Sequence, residues 1–488
     1  MTATRPRLDR LSTGSQAFDQ ILGGGLPVRS VNVIAGAPGA GKTIFALQTL
    51  FHQARLGKKG LYLTTLSEPS LKLVTYMQQF SFFDERLIAE KRVVIADLGT
   101  ALRRRDADRT LKEITGRVER EKPDIVVIDS FKALRDLLGD ASQIRTFVYD
   151  LAVHVSTWGA VSLLVGEYSA EEMAVLSEFA IADGIIQLSS RRQELGAIRE
   201  VEIIKLRGAD FVAGGHFFEM GPDGLEFFPR VRGPEGTIAE TETLDERAPT
   251  GVAGLDEMLA GGLPRASATV VQGGTGTGKT LLGLKFLLEG ARNGEPGIHF
   301  ALEETPSQLR HIARALGWDL RPLEESGLLT LSYASPVELS TDRFLDRARR
   351  EVTRTSARRA VLDSLTSMAL GVPSERRFKE LVYAISKHFR VAGVTLNMNM
   401  EVPDLLGSGQ LSGHGVSFAA DNVIQLKYVE VKGSLERGIS ILKARGVGHA
   451  TDVRRLHIGR DRIEVEPAFA GLRGVLTGLP IPTERGNS

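Results

Sequence analysis

The sequence predicts an α/β protein that contains two tandem copies of one domain. Two segments match the pattern G-x-x-x-x-G-K-[S/T], and their lysines, Lys42 and Lys279, lie 237 positions apart (279 − 42). In both halves of the 488 residues, short apolar strand patterns alternate with helical patterns. Alternation of this kind favours a mostly parallel twisted sheet with helices on both faces.

The repeat extends well beyond the two glycine patterns. At the same offset of 237, Thr13 corresponds to Thr250 and Pro69 corresponds to Pro306. One ungapped register over more than fifty residues indicates a tandem duplication. The polar, acidic stretch that follows the first half is typical of a linker. We therefore predict a first domain at residues 1–232, a linker at 233–248, a second domain at 249–479 and a short tail at 480–488.

Each half contains the same succession of strand and helix patterns. In the first half, one helix is predicted to run to about Phe80, and an arginine-rich helix covers about Arg103–Arg120. The second half has the same order, and its strand Ala360–Ser364 matches Ile125–Ser130 because both end in an aspartate and a serine. The strands predicted in the first half are Leu61–Thr64, Val93–Ala96, Ile125–Ser130, Val161–Val165, Ile185–Leu188 and Val201–Leu206.

The composition is that of a globular protein, and it excludes several kinds of site. Hydrophobic residues make up 42% of the chain and charged residues 25%, with a formal net charge of +1. This balance makes no strong case for nucleic acid as a partner. Because cysteine is absent, disulfides, thiolate nucleophiles and Cys-ligated metals are excluded. The start lacks the apolar core of a signal peptide, and no run of about 18 apolar residues occurs, so we expect no membrane partner and a cytoplasmic location.

Both glycine patterns lie between a strand pattern and a helical pattern, as in a phosphate-binding loop. The glycines allow successive backbone N–H groups to point at phosphate oxygens, and the helix N-terminus adds positive potential. In such a loop the lysine reaches the terminal phosphates and the threonine hydroxyl ligates Mg²⁺. The predicted binding residues are Gly36, Ala37, Pro38, Gly39, Ala40, Gly41, Lys42 and Thr43 in the first half, and Gly273, Gly274, Thr275, Gly276, Thr277, Gly278, Lys279 and Thr280 in the second.

Candidate carboxylates for phosphate hydrolysis follow predicted strands. Asp129 and Asp363 end strands that come after each loop, where an acidic residue can hold Mg²⁺ through water; a helix N-cap is the alternative. In the second half, Glu303 and Glu304 are adjacent at a strand end. One of such a pair can polarise water while the other supports the metal, a role that we assign to Glu303; a charge pair at a helix start is the alternative.

The first half has no such carboxylate pair. At the register of Glu303 and Glu304 it carries Leu66 and Ser67, and only Glu68 lies one position further on. This is the most informative difference between the halves. It predicts that the first domain binds nucleotide but hydrolyses it slowly or not at all.

Each half also has a Lys-x-Arg-Gly segment at the end of a late strand pattern. The residues are Lys205 and Arg207 in the first half, and Lys443 and Arg445 in the second. Cations are common on edge strands, so one such segment is a weak signal. Its repetition favours a functional role, and hydrolysis of a γ-phosphate requires positive charge in the transition state.

Together these segments resemble the KaiC family of circadian-clock ATPases, which belongs to the RecA-like P-loop superfamily. The resemblance covers nearly the whole chain and includes both phosphate loops, the T-G…G-G-L-P segments before them, and both Lys-x-Arg-Gly segments. It implies two RecA-like P-loop domains and a homohexamer of two stacked rings, with ATP at each subunit interface. The late-strand cations would then reach the ATP of the neighbouring subunit. Glu303 and Glu304 match the paired catalytic carboxylates of the family's second domain.

The resemblance also bears on covalent modification. Clock members of the family phosphorylate an adjacent Ser-Thr pair in the second domain. Counting back from Asp421, this sequence has Ser417-Phe418 at that place, and Ser412 lies near another hydroxyl position. Ser417 is therefore a candidate for autophosphorylation, and an unmodified loop serine is the alternative. Because the chain ends soon after Pro480, we expect a signalling or regulatory role, with signalling proteins as possible partners, rather than complete timekeeping.

Two other functions share this architecture. A DNA-dependent motor or recombinase also uses RecA-like cores, but the near-neutral charge and the lack of a basic, aromatic-interleaved stretch argue against it. A signalling scaffold would use ATP mainly to assemble its ring, with little turnover. Stimulation of ATP hydrolysis by single-stranded DNA would favour the first, and a very low rate would favour the second.

Overall fold

The structure of the protein is a computed structural model. It describes residues 8–65, 70–102, 106–138, 141–193, 196–230, 246–336, 341–372, 374–402, 418–431, 433–446, 448–460, 462–469, 472–473 and 481–482. The chain divides into two compact units, Met1–Arg230 and Val231–Ser488. We refer to them as the first and second domains.

The first domain contains eleven strands and ten helices among its described residues. Its strands are β1 (Arg10–Leu11), β2 (Leu26–Pro27), β3 (Val31–Gly36), β4 (Gly60–Thr64), β5 (Val93–Asp97), β6 (Ile125–Asp129), β7 (Val161–Gly166), β8 (Gly184–Gln193), β9 (Gly196–Leu206), β10 (Gly215–Gly221) and β11 (Gly224–Phe228). Its helices are α1 (Gln16–Ile21), α2 (Lys42–Arg55), α3 (Ser70–Met77), α4 (Glu85–Ala89), α5 (Gly99–Leu102), α6 (Ala107–Glu121), α7 (Phe131–Leu138), α8 (Ala141–Trp158), α9 (Ala170–Val175) and α10 (Ser177–Ile181).

The second domain repeats this order of elements around its own phosphate loop. Its strands are β12 (Arg247–Ala248), β13 (Leu263–Pro264), β14 (Ala268–Gly273), β15 (Gly297–Ala301), β16 (Leu329–Tyr333), β17 (Arg359–Asp363), β18 (Thr395–Glu401), β19 (Asn422–Val431), β20 (Ser434–Ala444), β21 (Arg454–Ile458), β22 (Ile463–Ala468), β23 (Leu472–Arg473) and β24 (Ile481–Pro482). Its helices are α11 (Ala253–Met258), α12 (Lys279–Arg292), α13 (Pro306–Ala315), α14 (Arg321–Glu325), α15 (Thr341–Thr355), α16 (Leu365–Leu370) and α17 (Glu375–Val391).

A nine-stranded, mostly parallel sheet forms the centre of each domain. The strand order is β11-β10-β9-β8-β3-β7-β6-β4-β5 in the first domain and β16-β15-β17-β18-β14-β19-β20-β21-β22 in the second. In each sheet, six neighbouring strands are parallel. The remaining three form an antiparallel flank. The predicted α/β fold with two tandem, mostly parallel sheets is therefore confirmed.

The phosphate-loop strands lie in the middle of their sheets and are covered on both faces. Every residue of β3 and of β14 is buried. Two apolar clusters pack in each domain, one on each side of the sheet. Continuous apolar strands of this kind are stable only where helices exclude water from both faces.

Several elements differ in length from the sequence prediction; one is α3, which ends at Met77 and not at about Phe80. The arginine-rich helix α6 begins only at Ala107, because the Asp106 side chain accepts a hydrogen bond from the backbone N–H of Arg109 (3.0 Å) and caps the helix there. Arg103–Arg105 lie outside the described residues. Strands β8 and β9 are longer than their apolar centres, because they pair as one antiparallel hairpin that continues past the buried part.

Arg359 is a fully buried cation in the core of the second domain. Its side chain is 0% exposed, and its Nε donates to Glu295 Oε2 at 2.6 Å. Its Nη1 donates to the carbonyl oxygens of Pro249 (2.6 Å) and Phe286 (2.9 Å). Gly290 of α12 leaves room for the side chain, since a Cβ there would lie 2.4 Å from Arg359 Cδ. The charge is thus buried together with its partner and acceptors, as a buried ion requires.

We predict that Arg359→Ala lowers the free energy of unfolding of the second domain by about 3 kcal/mol, because it removes one partner of a buried pair. Urea denaturation followed by Trp318 fluorescence, in a Trp158→Phe background, measures this change. The control is Arg376→Ala, whose side chain is 90% exposed and pairs with Glu380. It should change stability by less than about 1 kcal/mol. Equal effects of the two substitutions would contradict the prediction.

Candidate functional site

The two phosphate loops connect a buried strand to a long helix in the same way. In the first domain β3 ends at Gly36 and α2 begins at Lys42; in the second, β14 ends at Gly273 and α12 begins at Lys279. The helix is preceded by a glycine with positive φ in each case, 94° in the first loop and 108° in the second. Such a backbone directs successive N–H groups inward, where they can bind phosphate oxygens.

The loop lysines lie inside their loops and are held by backbone carbonyl groups. Lys42 Nζ donates to the carbonyl oxygen of Ala37 at 2.8 Å. Lys279 Nζ donates to Gly273 and Gly274, both at 2.9 Å. Burial lowers the pKa of both lysines, and nearby carboxylates oppose that change. Each ammonium therefore lies where the terminal phosphates of a nucleotide would be bound.

A threonine and an aspartate form a close pair beside each loop. Thr43 Oγ1 donates to Asp129 Oδ2, and Thr280 Oγ1 donates to Asp363 Oδ2, both at 2.7 Å. Hydroxyl and carboxylate oxygens are the hard ligands that Mg²⁺ prefers, so this donor set fits the metal. Among the described residues no group of three or more histidines or carboxylates could hold a metal. A Mg²⁺ ion at either pair would be completed by phosphate oxygens and water.

The residue next to the aspartate differs between the domains. In the first, the buried Tyr62 donates its hydroxyl hydrogen bond to Asp129 Oδ2 at 2.7 Å. The corresponding residue in the second is His299, whose Nε2 lies 4.0 Å from Asp363 Oδ2, beyond hydrogen-bond range. Burial lowers the pKa of His299, against the opposing effect of the Asp363 charge. The sequence did not indicate either residue as part of a site.

The two adjacent glutamates of the second domain have different surroundings. Glu303 Oε1 accepts hydrogen bonds from the hydroxyl groups of Ser364 (2.6 Å) and Ser367. Glu304 Oε2 is buried and has no hydrogen-bond partner in the described part of the chain. Burial, and secondarily the charge of Asp363, raise the pKa of Glu304. One carboxylate is thus fixed by hydroxyl groups, while the other has an increased affinity for a proton, as a general base requires.

The first-domain positions that match this pair lie outside the described residues. They are Leu66, Ser67 and Glu68. The absence of a carboxylate pair from the first domain is therefore inferred from the sequence.

The structure brings a further carboxylate to each site that sequence reasoning missed. Glu167 directly follows β7, and Glu401 ends β18; each of these strands pairs with the phosphate-loop strand of its domain. Glu401 Oε1 accepts a hydrogen bond from Thr275 of the loop. Glu167 and Glu401 are the carboxylates with the largest opposing effect on the lowered pKa of their loop lysines. A single glutamate at the end of a strand matches no sequence motif. Only the order of the strands in the sheet shows that Glu167 and Glu401 lie beside the phosphate loops.

The four late-strand cations lie at the opposite edge of the sheet from the phosphate loop of their own domain. In the first domain Leu206 of β9 pairs with Gly184 of β8, which in turn pairs with Asn32 near the start of β3. Asn32 and Gly36 are separated by four residues, or roughly 13 Å of strand. Lys205 and Arg207 therefore lie far from the loop that follows Gly36.

The second domain has the same arrangement. Ala444 of β20 pairs with Asn422 of β19, which pairs with Thr269 near the start of β14. Lys443 Nζ donates to the carbonyl oxygen of Ala420 at 2.6 Å, and Arg445 is exposed. The cations and the loop of one domain thus do not form one site within the chain.

The remaining candidate, Ser417, lies outside the described residues, as does Ser412.

Comparison with known families and proteins agrees with this geometry. The sequence model of a family described as "ATPase: KaiC" matches residues 11–232 and again 248–469. The chain belongs to the KaiC ATPase family. It therefore binds ATP and is a KaiC-like ATPase, and its two matched segments cover both phosphate loops. The resemblance seen in the sequence is confirmed.

Curated relatives match the chain over almost its full length. The circadian clock oscillator protein KaiC of Rippkaea orientalis is 28% identical over 483 residues, which cover 96% of this chain and 91% of that protein. The circadian clock oscillator protein KaiC 1 of Synechocystis sp. is 28% identical, over 98% of this chain and 92% of that protein. The circadian clock protein KaiC3 of the same organism is 28% identical, over 98% and 95%.

No helix in the described part of the chain has both the length and the apolar character that are needed to cross a membrane.

We predict that Tyr62→Phe weakens nucleotide binding at the first site roughly fivefold in the presence of Mg²⁺, because Asp129 loses a hydrogen-bond donor that is worth about 1 kcal/mol. Titration with a fluorescent ATP analogue, in a Lys279→Ala background that disables the second loop, measures the affinity. Tyr76→Phe, at a tyrosine that is 49% exposed, is the matched control and should have no effect. A loss of the same size in the absence of Mg²⁺ would contradict the prediction.

Proposed function

We propose that the protein is a Mg²⁺-dependent ATPase that assembles as a homohexamer, in which ATP is bound between neighbouring subunits and the second domain performs most of the turnover. The observation that carries the proposal is the separation of each phosphate loop from the cations of its own domain. A complete site requires both parts, and a neighbouring copy of the chain can supply the second. The family resemblance, which implies a ring, supports the same arrangement.

The assignment of turnover to the second domain rests on its carboxylates. Glu304 is half-buried with a raised pKa, so it is suited to accept a proton from the attacking water. Glu303, fixed by two serine hydroxyl groups, would support the metal site. Bound Mg²⁺ would neutralise the developing charge on the phosphates. Lys279 in the same chain, with Lys443 and Arg445 from the neighbouring chain, would stabilise that charge further.

The biological role that we propose is regulatory or signalling. The curated relatives are named as circadian clock proteins. At the place where clock members carry adjacent serine and threonine, this chain has Ser417-Phe418. A two-site phosphorylation cycle therefore lacks one of its hydroxyl groups here, and a role other than complete timekeeping follows.

We predict that Lys279→Ala reduces the rate of phosphate release from ATP at least about tenfold, whereas Lys42→Ala retains most of it. The reason is that only the second loop is accompanied by a carboxylate pair. Steady-state phosphate release of the two purified variants, checked for equal oligomeric size by light scattering, measures the difference. The reverse result would assign the turnover to the first domain.

We predict that Lys279→Ala and Arg445→Ala chains, each inactive alone, regain activity when they are mixed before ring assembly. A mixed ring contains interfaces that combine an intact Lys279 from one chain with an intact Arg445 from the next, at about a quarter of all interfaces. Phosphate release by the mixture, compared with each variant alone, is the measurement. Absence of any gain in rings that light scattering and mass analysis show to be mixed would contradict the shared site.

We propose autophosphorylation of Ser417 as a secondary activity. Intact-mass spectrometry after incubation with Mg·ATP should show a gain of about 80 Da, the mass of one phosphoryl group. Ser417→Ala should abolish it, and Ser412→Ala should leave it unchanged. A gain that survives Ser417→Ala, or the absence of any gain, would remove this activity from the proposal.

A further inference from the structure

The first phosphate loop opens onto a cavity of about 540 Å³ that contains a second lysine. Its lining includes Lys42 and Thr43 of the loop, the metal candidate Asp129, and the newly identified Glu167. Lys132, in the first turn of α7, lies on the same wall. No role in the proposed hydrolysis uses this residue.

The Lys132 ammonium is fixed in position by its surroundings. Its Nζ donates to Glu172 Oε1 at 2.6 Å and lies 5.7 Å from the centre of the Tyr168 ring. Glu172 is itself fixed, because its other carboxylate oxygen accepts from the backbone N–H of Ser169 (2.8 Å) in a capping box at the start of α9. An ammonium group has three donors, so Lys132 can bond Glu172 and still bond a phosphate oxygen.

The second domain shows what this position contacts. Lys132 is the third residue after Asp129, and the third residue after Asp363 is the neutral Thr366. Thr366 Oγ1 accepts a hydrogen bond from the backbone N–H of Glu401 at 2.8 Å. Glu401 in turn pairs with Gly273, the first residue of the second phosphate loop. The position of Thr366 thus lies next to the end of β18, which borders the second phosphate loop. By analogy, the side chain of Lys132 extends from a backbone position next to the first loop.

The two sites differ in the charge of the side chains at corresponding positions. The first has leucine and serine where the second has Glu303 and Glu304, and it has a lysine where the second has a threonine. In sequence register, the first half therefore has two fewer carboxylates at that strand end and one more ammonium group at the start of α7. Two carboxylates other than Asp129 line the first cavity, namely Glu167 and Asp136, and Lys132 offsets part of their repulsion of phosphate.

We propose that Lys132 binds the terminal phosphate of a nucleoside triphosphate in the first site. This contact makes the first site prefer triphosphate over diphosphate. The first site therefore retains ATP and does not turn it over. This rests on the proposed function only in that the first loop binds nucleotide. A lysine placed against the last phosphate has little to bind in a diphosphate, so its contribution is specific to ATP.

The test compares the affinities of fluorescent ATP and ADP analogues in the Lys279→Ala background, where only the first loop is intact. Lys132→Thr introduces the residue of the second domain. We expect the affinity for the ATP analogue to fall about tenfold and that for the ADP analogue to change less than about twofold. Lys112→Thr, at an exposed lysine of α6, is the matched control and should change neither. Lys132→Arg should keep the preference for ATP.

A purely structural role for Lys132 gives a different result. In that case Lys132→Thr and Glu172→Gln, which break the same ion pair, lower the thermal midpoint by similar amounts and leave the ATP-to-ADP affinity ratio unchanged. The proposal instead requires that Glu172→Gln keeps the ratio, since the ammonium remains, and that Lys132→Thr alone reduces it. An unchanged ratio in Lys132→Thr overturns the role of Lys132 only. Absence of nucleotide binding in the Lys279→Ala parent overturns nucleotide binding by the first site as well.

Discussion

The parallel pairing of the central strands is the constraint on which both candidate sites depend. Because β3, β7 and β6 run in the same direction, the first phosphate loop, Glu167 and Asp129 emerge at one edge of the sheet. The strands β14, β18 and β17 do the same for the second loop, Glu401 and Asp363. Reversing one strand would move its carboxylate by roughly 15 Å, the length of a five-residue strand. A nucleotide and its metal therefore need this pairing before any side chain can act.

The antiparallel flank has the opposite consequence for the cations. Strands β9 and β20 run antiparallel to their neighbours β8 and β19. Lys205 and Lys443, near the ends of β9 and β20, therefore lie at the edge of the sheet where the phosphate-loop strands begin. The same backbone that gathers the loop and the carboxylates thus separates them from positive charge. This separation is the physical reason for proposing that a second copy of the chain completes each site, in agreement with the ring that the family resemblance implies.

The two domains share a backbone plan but differ in the charged and polar side chains at the loop edge. Tyr62 corresponds to His299, and Lys132 corresponds to Thr366. The plan is maintained by buried apolar strands and by glycines with positive φ. Lys132 lines the cavity beside the first loop, and Tyr62 and His299 are buried next to the site aspartates, so these positions change the character of the site while the strand order stays the same. Duplication followed by such changes accounts for two sites of different character in one chain.

The sequence by itself determined the duplication, the α/β class and both phosphate loops, because these follow from local patterns and a constant offset. It also indicated the carboxylate pair of Glu303 and Glu304. Only the tertiary structure decided that Glu167 and Glu401 lie beside the phosphate loops. It also decided that the repeated Lys-x-Arg cations lie away from the loop of their own domain. Those relations depend on which strands are neighbours and in which direction they run. The strands that flank each phosphate-loop strand come from more than a hundred residues further along the chain, whereas the cations are placed by an antiparallel hairpin that follows one of those strands.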